Sequence, residues 1–282
     1  MNSSRNPEPS VLARERGSDS SIGLATWNVR GFARPDLNDL AAVLQAKPNG
    51  IFVIQELQRW QAKRLAQLLG MHHHWSFKHS PLGPLLVRFA EGLATFTVEH
   101  ASRAETLDLT PAIRSTSHRR RIAQFTYLER LETDVVNIHL ASHHDASARL
   151  DQLQTVLERV RERGALRCIV AGDFNAAQEL SLYELLESDG FIDAWASHQL
   201  VVDPKQSTSL RGREPSAPLH PTTSTGQGFT NPTGNTRTRL DRIFVRGFSV
   251  RAALIPVDGQ LWSTRSDHLP VFADVALMPD SK

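Results

Sequence analysis

The chain has one cysteine, Cys168, in 282 residues. A single thiol excludes an internal disulfide framework and fits a reducing compartment. It also leaves no Cys/His set at zinc spacing, which argues against a structural zinc site. Cys168 lies in the apolar run Leu166 to Ala171 and reads as a buried strand residue. Long hydrophobic runs are absent too. No stretch approaches the roughly 18 apolar residues that a membrane span needs. In residues 1–20 the longest apolar run is Val11-Leu12-Ala13, too short for a signal-peptide core. That segment is expected to be a disordered tail and the protein to be cytoplasmic. A dominant charge is missing as well: 32 Lys and Arg stand against 30 Asp and Glu, a net +2, with a pI near 8.9. A dedicated duplex binder carries a stronger basic patch. The balance permits nucleic acid as a substrate without arguing for it.

What is present is ordinary for a globular domain, with 40% hydrophobic and 22% charged residues. One domain over residues 21–279 is expected. Apolar runs predict strands at 22–28, 51–55, 93–98, 122–128, 134–140, 167–171, 240–245, 250–254 and 271–277. Leu37, Leu40, Ala41 and Leu44 share one helical face, and Trp60, Leu65, Leu68 and Leu69 another, which stops at Gly70. The clearest helix spans about 147–163, with the stripe Leu150, Leu153, Leu157, Val160, a cap at Ser147 and a stop at Gly164. A short helix is predicted over 180–186. Residues 71–84, rich in His and Pro, read as irregular, and 203–237, rich in Pro, Ser, Thr and Gly, as a long surface loop. Strands and helices interleave too irregularly for a simple parallel βαβ sandwich.

Short polar motifs end several of these apolar runs. Asn28 follows Leu24-Ala25-Thr26-Trp27. Glu56 follows Ile51 to Gln55. Gly172-Asp173-Phe174-Asn175 follows Ile169-Val170-Ala171. Leu240-Asp241-Arg242 leads into a strand, as does Ser266-Asp267-His268. Carboxylates, an amide and imidazole at strand ends are a means of holding a hard cation over a phosphate. Asp173 and Asn175, two apart, share a face if the chain is extended; a turn with Asx hydrogen bonds is equally natural for that pattern. An Asp bonded to an imidazole fixes its tautomer and favours its protonated form. The run His72-His73-His74 is no metal site by spacing, because consecutive extended residues alternate faces. It is expected on a surface loop. His143-His144 stands just past His139, at the rim of any cleft there.

Taken in order, these motifs resemble the endonuclease/exonuclease/phosphatase superfamily, whose best-known branch is DNase I-like. The resemblance runs from about Gly23 to Leu277. It implies an α/β fold of four layers, α/β/β/α, with two mixed sheets inside and helices outside. It implies a catalytic edge where strand ends of both sheets converge. There Glu56 would bind Mg²⁺ or Mn²⁺, with Asn28 and Asp267 beside it. Asp173 would orient or deprotonate the attacking water, and Asn175 would donate to a phosphoryl oxygen. Asp241 would pair with His268. His139 would be a second histidine, partnered by Glu91. One arginine of Arg119-Arg120-Arg121 would reach phosphate, with Arg119 and Arg120 the first candidates.

The branches differ at identifiable residues. Abasic-site endonucleases usually have Tyr where this chain has His139, and an aromatic where it has Arg242. Inositol polyphosphate 5-phosphatases show Pro-Ser-Trp-Cys-Asp-Arg where this chain reads Arg237-Thr238-Arg239-Leu240-Asp241-Arg242. Nucleases and sphingomyelinase-like lipid phosphodiesterases remain. The 203–237 segment lacks an apolar hairpin for membrane insertion, which favours a nuclease. The expected protein is a monomeric, metal-dependent phosphodiesterase acting on nucleic acid. A binding module that kept the fold without activity is the reading from a different class.

Overall fold

The central strands are buried along both faces, so each sheet needs cover on both sides. In the computed structural model this holds for β1 (Ile22–Asn28) and β4 (Glu91–Thr97), and for β7 (Thr133–His139) and β8 (Arg167–Asp173). The structure describes residues 21–47, 50–80, 89–110, 117–142, 144–177, 179–199, 229–232, 237–256 and 266–279. The expected N-terminal tail, most of the 203–237 loop and His143 lie outside them.

Two six-stranded sheets supply that cover to each other. The first also contains β2 (Ile51–Gln58), β3 (His72–His79), β11 (Phe248–Leu254) and β12 (Val271–Leu277), in the order β11-β12-β1-β2-β4-β3. The second contains β5 (Arg103–Asp108), β6 (Ile122–Leu128), β9 (Ile192–Asp193) and β10 (Asp241–Arg246), in the order β5-β6-β7-β8-β10-β9. Among the described residues only β1–β2 and β7–β8 pair in parallel; the remaining ladders are antiparallel. Each parallel pair encloses a helix, as a parallel connection requires. These helices are α1 (Leu37–Leu44) and α3 (Ala146–Arg163). With α2 (Arg59–Leu69), α4 (Leu180–Ser188) and α5 (Ala194–Gln199) they make up the α-helices of the described residues.

Three apolar clusters define four layers. Leu24, Val53 and Val271 meet Val135, Ile169 and Ile243 between the sheets. Leu40, Leu44 and Leu65 of α1 and α2 pack on Trp27, Phe52 and Phe96 outside the first sheet. Leu153, Leu157, Val160 and Leu186 of α3 and α4 pack on Phe125, Val170 and Phe244 outside the second. This is the α/β/β/α sandwich. Among the described residues no helix is long and apolar enough to cross a membrane.

The expected elements fall close to their places, with β9 and α5 added to them and three further corrections. Residues 72–79 form edge strand β3 rather than an irregular segment, and so carry His72, His73 and His74 on a strand rather than a loop. Trp75 and Phe77 contact each other on one side of it, and Ser76 bonds Thr106 of the other sheet at 2.7 Å. That alternation is a strand pattern which the His-rich composition hides. Strand β5, mostly polar and half-exposed, was not anticipated. Asp145, not Ser147, caps α3: its side chain accepts from the Ala148 amide at 3.1 Å.

The space between the sheets also holds amides. Gln55 Nε2 donates to Asn137 Oδ1 at 2.8 Å, and Asn137 Nδ2 donates to the carbonyls of Ile54 and Ala94 at 3.2 and 3.1 Å. Those carbonyls border a β-bulge, where the β2–β4 register breaks between Ile54 and Leu57. Asn137 satisfies backbone oxygens that the broken ladder leaves over. A second bulge lies across β4, where the β3–β4 register breaks between Phe77 and His79.

Candidate active site

Register alone assembles the centre of the site. His139, the last residue of β7, lies beside Asp173, the last of β8, which lies opposite Asp241, the first of β10. The three side chains therefore emerge at one end of adjacent strands. Gly172 makes the β7–β8 approach possible. Its φ is 148°, and a Cβ there would stand 2.0 Å from the Ile138 carbonyl oxygen.

The first sheet brings the facing groups. Asn28 ends β1, and its Nδ2 donates to Asp173 Oδ2 at 3.1 Å. The Asn175 amide donates to Asp173 Oδ1 at 2.9 Å, so both carboxylate oxygens are held. The Asn175 side chain turns to the Leu140 carbonyl at 3.1 Å, with φ of 52°, which matches the Asx-turn alternative. Glu56 sits in the β2 bulge with φ of 59°, and this turns its carboxylate toward His139, 3.9 Å from Nδ1. The Ser266–His268 turn is tied to β1 by two bonds. Ser266 Oγ donates to the Asn28 carbonyl at 2.5 Å, and Trp27 Nε1 donates to the His268 carbonyl at 2.9 Å.

His268 and Asp241 form the tightest pair, Nδ1 to Oδ2 at 2.7 Å, with His268 Nε2 3.9 Å from Asp173 Oδ2. Burial alone would lower the His268 pKa; the charges of Asp241 and Asp173 and the Asp241 hydrogen bond overcome it and raise it to about 10. Burial raises the Asp173 carboxyl above its ordinary range. His139 goes the other way. Burial, then Lys78 and Arg121, hold its pKa well below the ordinary value. The two histidines thus sit in opposite fields.

Not every expected contact is made. Glu91 stands against His79, Oε2 to Nε2 at 3.6 Å. The Nδ1 of His139 faces Lys78 Nζ at 3.2 Å instead of Glu91. Burial and the neighbouring Glu56 push the Glu91 carboxyl up to about 7. Of the three arginines, Arg119 is exposed. Arg120 is taken up by Asp108 at 2.9 Å and by the Phe77 and Lys78 carbonyls at 2.8 Å. Arg121 is the inward one. It donates to the Leu140 carbonyl at 2.8 Å, and the charges of Asp173 and Glu56 act on it. Asp267 is half-exposed and lies 3.6 Å from Arg30. His144 lines a cavity of about 670 Å³ with His118, Arg119 and Arg121. Sequence reasoning missed Lys78 outright: no motif surrounds it, and the strand that carries it reads as an irregular segment.

Two donor sets could hold a cation. Asp173, Asp241 and His268 bring one ligand atom each within 4.8 Å of one another. Yet His268 spends Nδ1 on Asp241, and a ring with a raised pKa keeps its proton rather than binding a metal. Glu56 and Asp267 carry the second set of hard oxygens, with side chains 24% and 43% exposed. Asp241 Oδ1 is buried with no hydrogen-bond partner among the described residues.

A model of the Endonuclease/Exonuclease/phosphatase family matches residues 25–268. No curated protein matches the sequence. Several solved structures share the fold. An endonuclease/exonuclease/phosphatase family protein from Bacteroides thetaiotaomicron is 19% identical, with a TM-score of 0.66, covering 92% of this chain and 99% of that one. A mannosyl-6-phosphatase from the same organism is 19% identical, with a TM-score of 0.65 over 91% of this chain and 100% of that one. The human nocturnin catalytic domain, bound to a sulfate anion, is 20% identical, with a TM-score of 0.63 over 92% and 94%. At these identities the likeness is one of fold.

Proposed function

Because this chain belongs to the endonuclease/exonuclease/phosphatase family, we propose that it hydrolyses phosphodiesters in nucleic acid with the help of Mg²⁺ or Mn²⁺. The observation that carries the proposal is the convergence of Asp173, His268 and Asp241 with Asn28 and Glu56 where strand ends of the two sheets meet. Two carboxylates and an amide with hard oxygens suit those cations. Glu56, Asp267 and Asn28 are the residues that would hold the metal. When bound, it would supply positive charge to a phosphoryl oxygen.

The chain's own groups divide the remaining work. Asp173, with Oδ2 held by Asn28 and Oδ1 by the Asn175 amide, is fixed in orientation and ready to take a proton from water. Its raised pKa brings it closer to the proton it must accept. His268, kept cationic by Asp241, stands 3.9 Å from Asp173 Oδ2, where it stabilises charge growing on phosphorus-bound oxygens or protonates the leaving one. Arg121 adds a second fixed positive charge beside Asp173.

A phosphomonoester is the second reading, favoured by the mannosyl-6-phosphatase among the structural neighbours. The test is a panel of plasmid DNA, RNA, sphingomyelin, phosphoinositides and a sugar phosphate, with bis(p-nitrophenyl) phosphate as the generic diester. Cleavage of nucleic acid that stops in EDTA and returns with Mg²⁺ is the expected result. Glu56→Ala and Asp173→Ala should each remove it while the circular dichroism spectrum stays native. Full turnover in excess chelator would rule out the metal. Turnover confined to a lipid or sugar phosphate would move the substrate, and inertness toward the whole panel would leave a binding module.

A further inference from the structure

Lys78 is 2% exposed, yet no carboxylate holds it in a hydrogen bond among the described residues; its Nζ instead reaches His139 Nδ1 at 3.2 Å. A buried lysine is costly unless its charge is compensated. Compensation comes from several sides. Glu56, Glu91 and Asp173 favour the ammonium, while burial and Arg121 oppose it, leaving a pKa of about 8. The backbone is shaped to place this side chain. Lys78 is the extra residue of the β3 bulge, between Phe77 paired with Gly92 and His79 paired with Glu91. The β2 bulge that turns Glu56 inward lies on the other side of the same strand, β4. Glu56 and Lys78 thus reach the same imidazole from two bulges that flank one strand.

We infer that Lys78 is a positioning residue which fixes the tautomer of His139, keeping Nδ1 as acceptor and the ring proton on Nε2. An ammonium has three donors and no acceptor. A ring nitrogen 3.2 Å away can only accept from it, so it carries no hydrogen. The proton of the neutral ring then lies on Nε2, which stands 3.7 Å from Asp173 Oδ2. His139 is therefore a neutral hydrogen-bond donor at the reacting centre. His268, bonded through Nδ1 to a carboxylate, is the charged one. The two imidazoles are set apart by the sign of their partners, a cation for one and an anion for the other.

The catalytic consequence rests on the phosphoesterase reading; the tautomer does not. The experiment is ¹⁵N NMR of histidine-labelled protein at pH 7 without substrate, with the His139 signals assigned by their loss in His139→Gln. The expected spectrum has an unprotonated Nδ1 and a protonated Nε2. In Lys78→Met the proton should shift toward Nδ1, where Glu56 lies 3.9 Å away. Turnover of bis(p-nitrophenyl) phosphate should fall about 10–100-fold in kcat, the range for partners that orient functional imidazoles, with KM little changed. A wild-type ring protonated at Nδ1, or a Lys78→Met ring identical to wild type, overturns the inference. Should Lys78→Met not fold, the wild-type spectrum decides alone. The expected tautomer in a protein inert toward every phosphoester would sink the proposed function and leave the Lys78 assignment standing.

Discussion

At the scale of single residues, the site is governed by which charges were buried together. Asp241 and His268 are both nearly excluded from water and 2.7 Å apart. The folded His268 pKa, about 10, exceeds its ordinary value of 6.5. A raised histidine stabilises the fold in full below the unfolded pKa, near 6.5. That contribution is lost as pH rises through the folded value. Asp241→Asn should therefore cost about 2 kcal/mol near pH 6, the scale of a hydrogen bond to a charged group. The wild-type advantage should shrink steadily toward pH 10. Urea unfolding of both proteins across that range measures it; a gap that widens with pH would refute the assignment. Activity should fall with the same substitution by roughly 10²–10⁴, as for loss of a general acid.

At the scale of elements, close strand packing sets the terms. Gly172→Ala would force a methyl against the Ile138 carbonyl and an L-residue into φ of 148°. A loss of about 3 kcal/mol or more is expected, read from the urea midpoint. A variant as stable as wild type would mean that β7 and β8 can part without penalty. The same scale explains what could be read from the sequence. Runs such as Ile51 to Gln55 and Ile169 to Ala171 announce their strands because both faces are apolar. The residues that end them, Glu56 and Asp173, were legible for the same reason. The helix stripe from Leu150 to Val160 was equally plain. Strand β3 was not, because its inner face carries Ser76 and Lys78 rather than aliphatic residues. Nor was the partner of His139, since a bulge changes which face a side chain takes and leaves no mark in composition. Glu91 faces His79, one residue past the bulge, rather than the expected His139. The choice among Arg119, Arg120 and Arg121 depended on Asp108, in a strand that its polar sequence concealed.

At the scale of the whole molecule, each sheet packs its own helices on its outer face, and the cluster between the sheets joins the two halves. We expect one cooperative unfolding transition for residues 21–279. Cys168 is its built-in reporter. The thiol is fully buried between β8 and α3, and burial raises its pKa, so it is shielded and kept from ionising at once. Its modification by a water-soluble disulfide reagent should follow the urea transition recorded by tryptophan fluorescence. Rapid labelling of the native protein would place a separate, earlier opening in the second sheet.

The alignment of His139, Asp173 and Asp241 on neighbouring strands turns the sheet into a ruler. Adjacent strands lie about 4.8 Å apart because backbone hydrogen bonds have one length. The spacing of these three groups across the strands is inherited from that pitch rather than from side-chain packing. Repacking the interior can loosen or stiffen the site, but it cannot rescale it. A change of substrate must therefore be written in the segments that border the strand ends, while the graduation itself stays fixed.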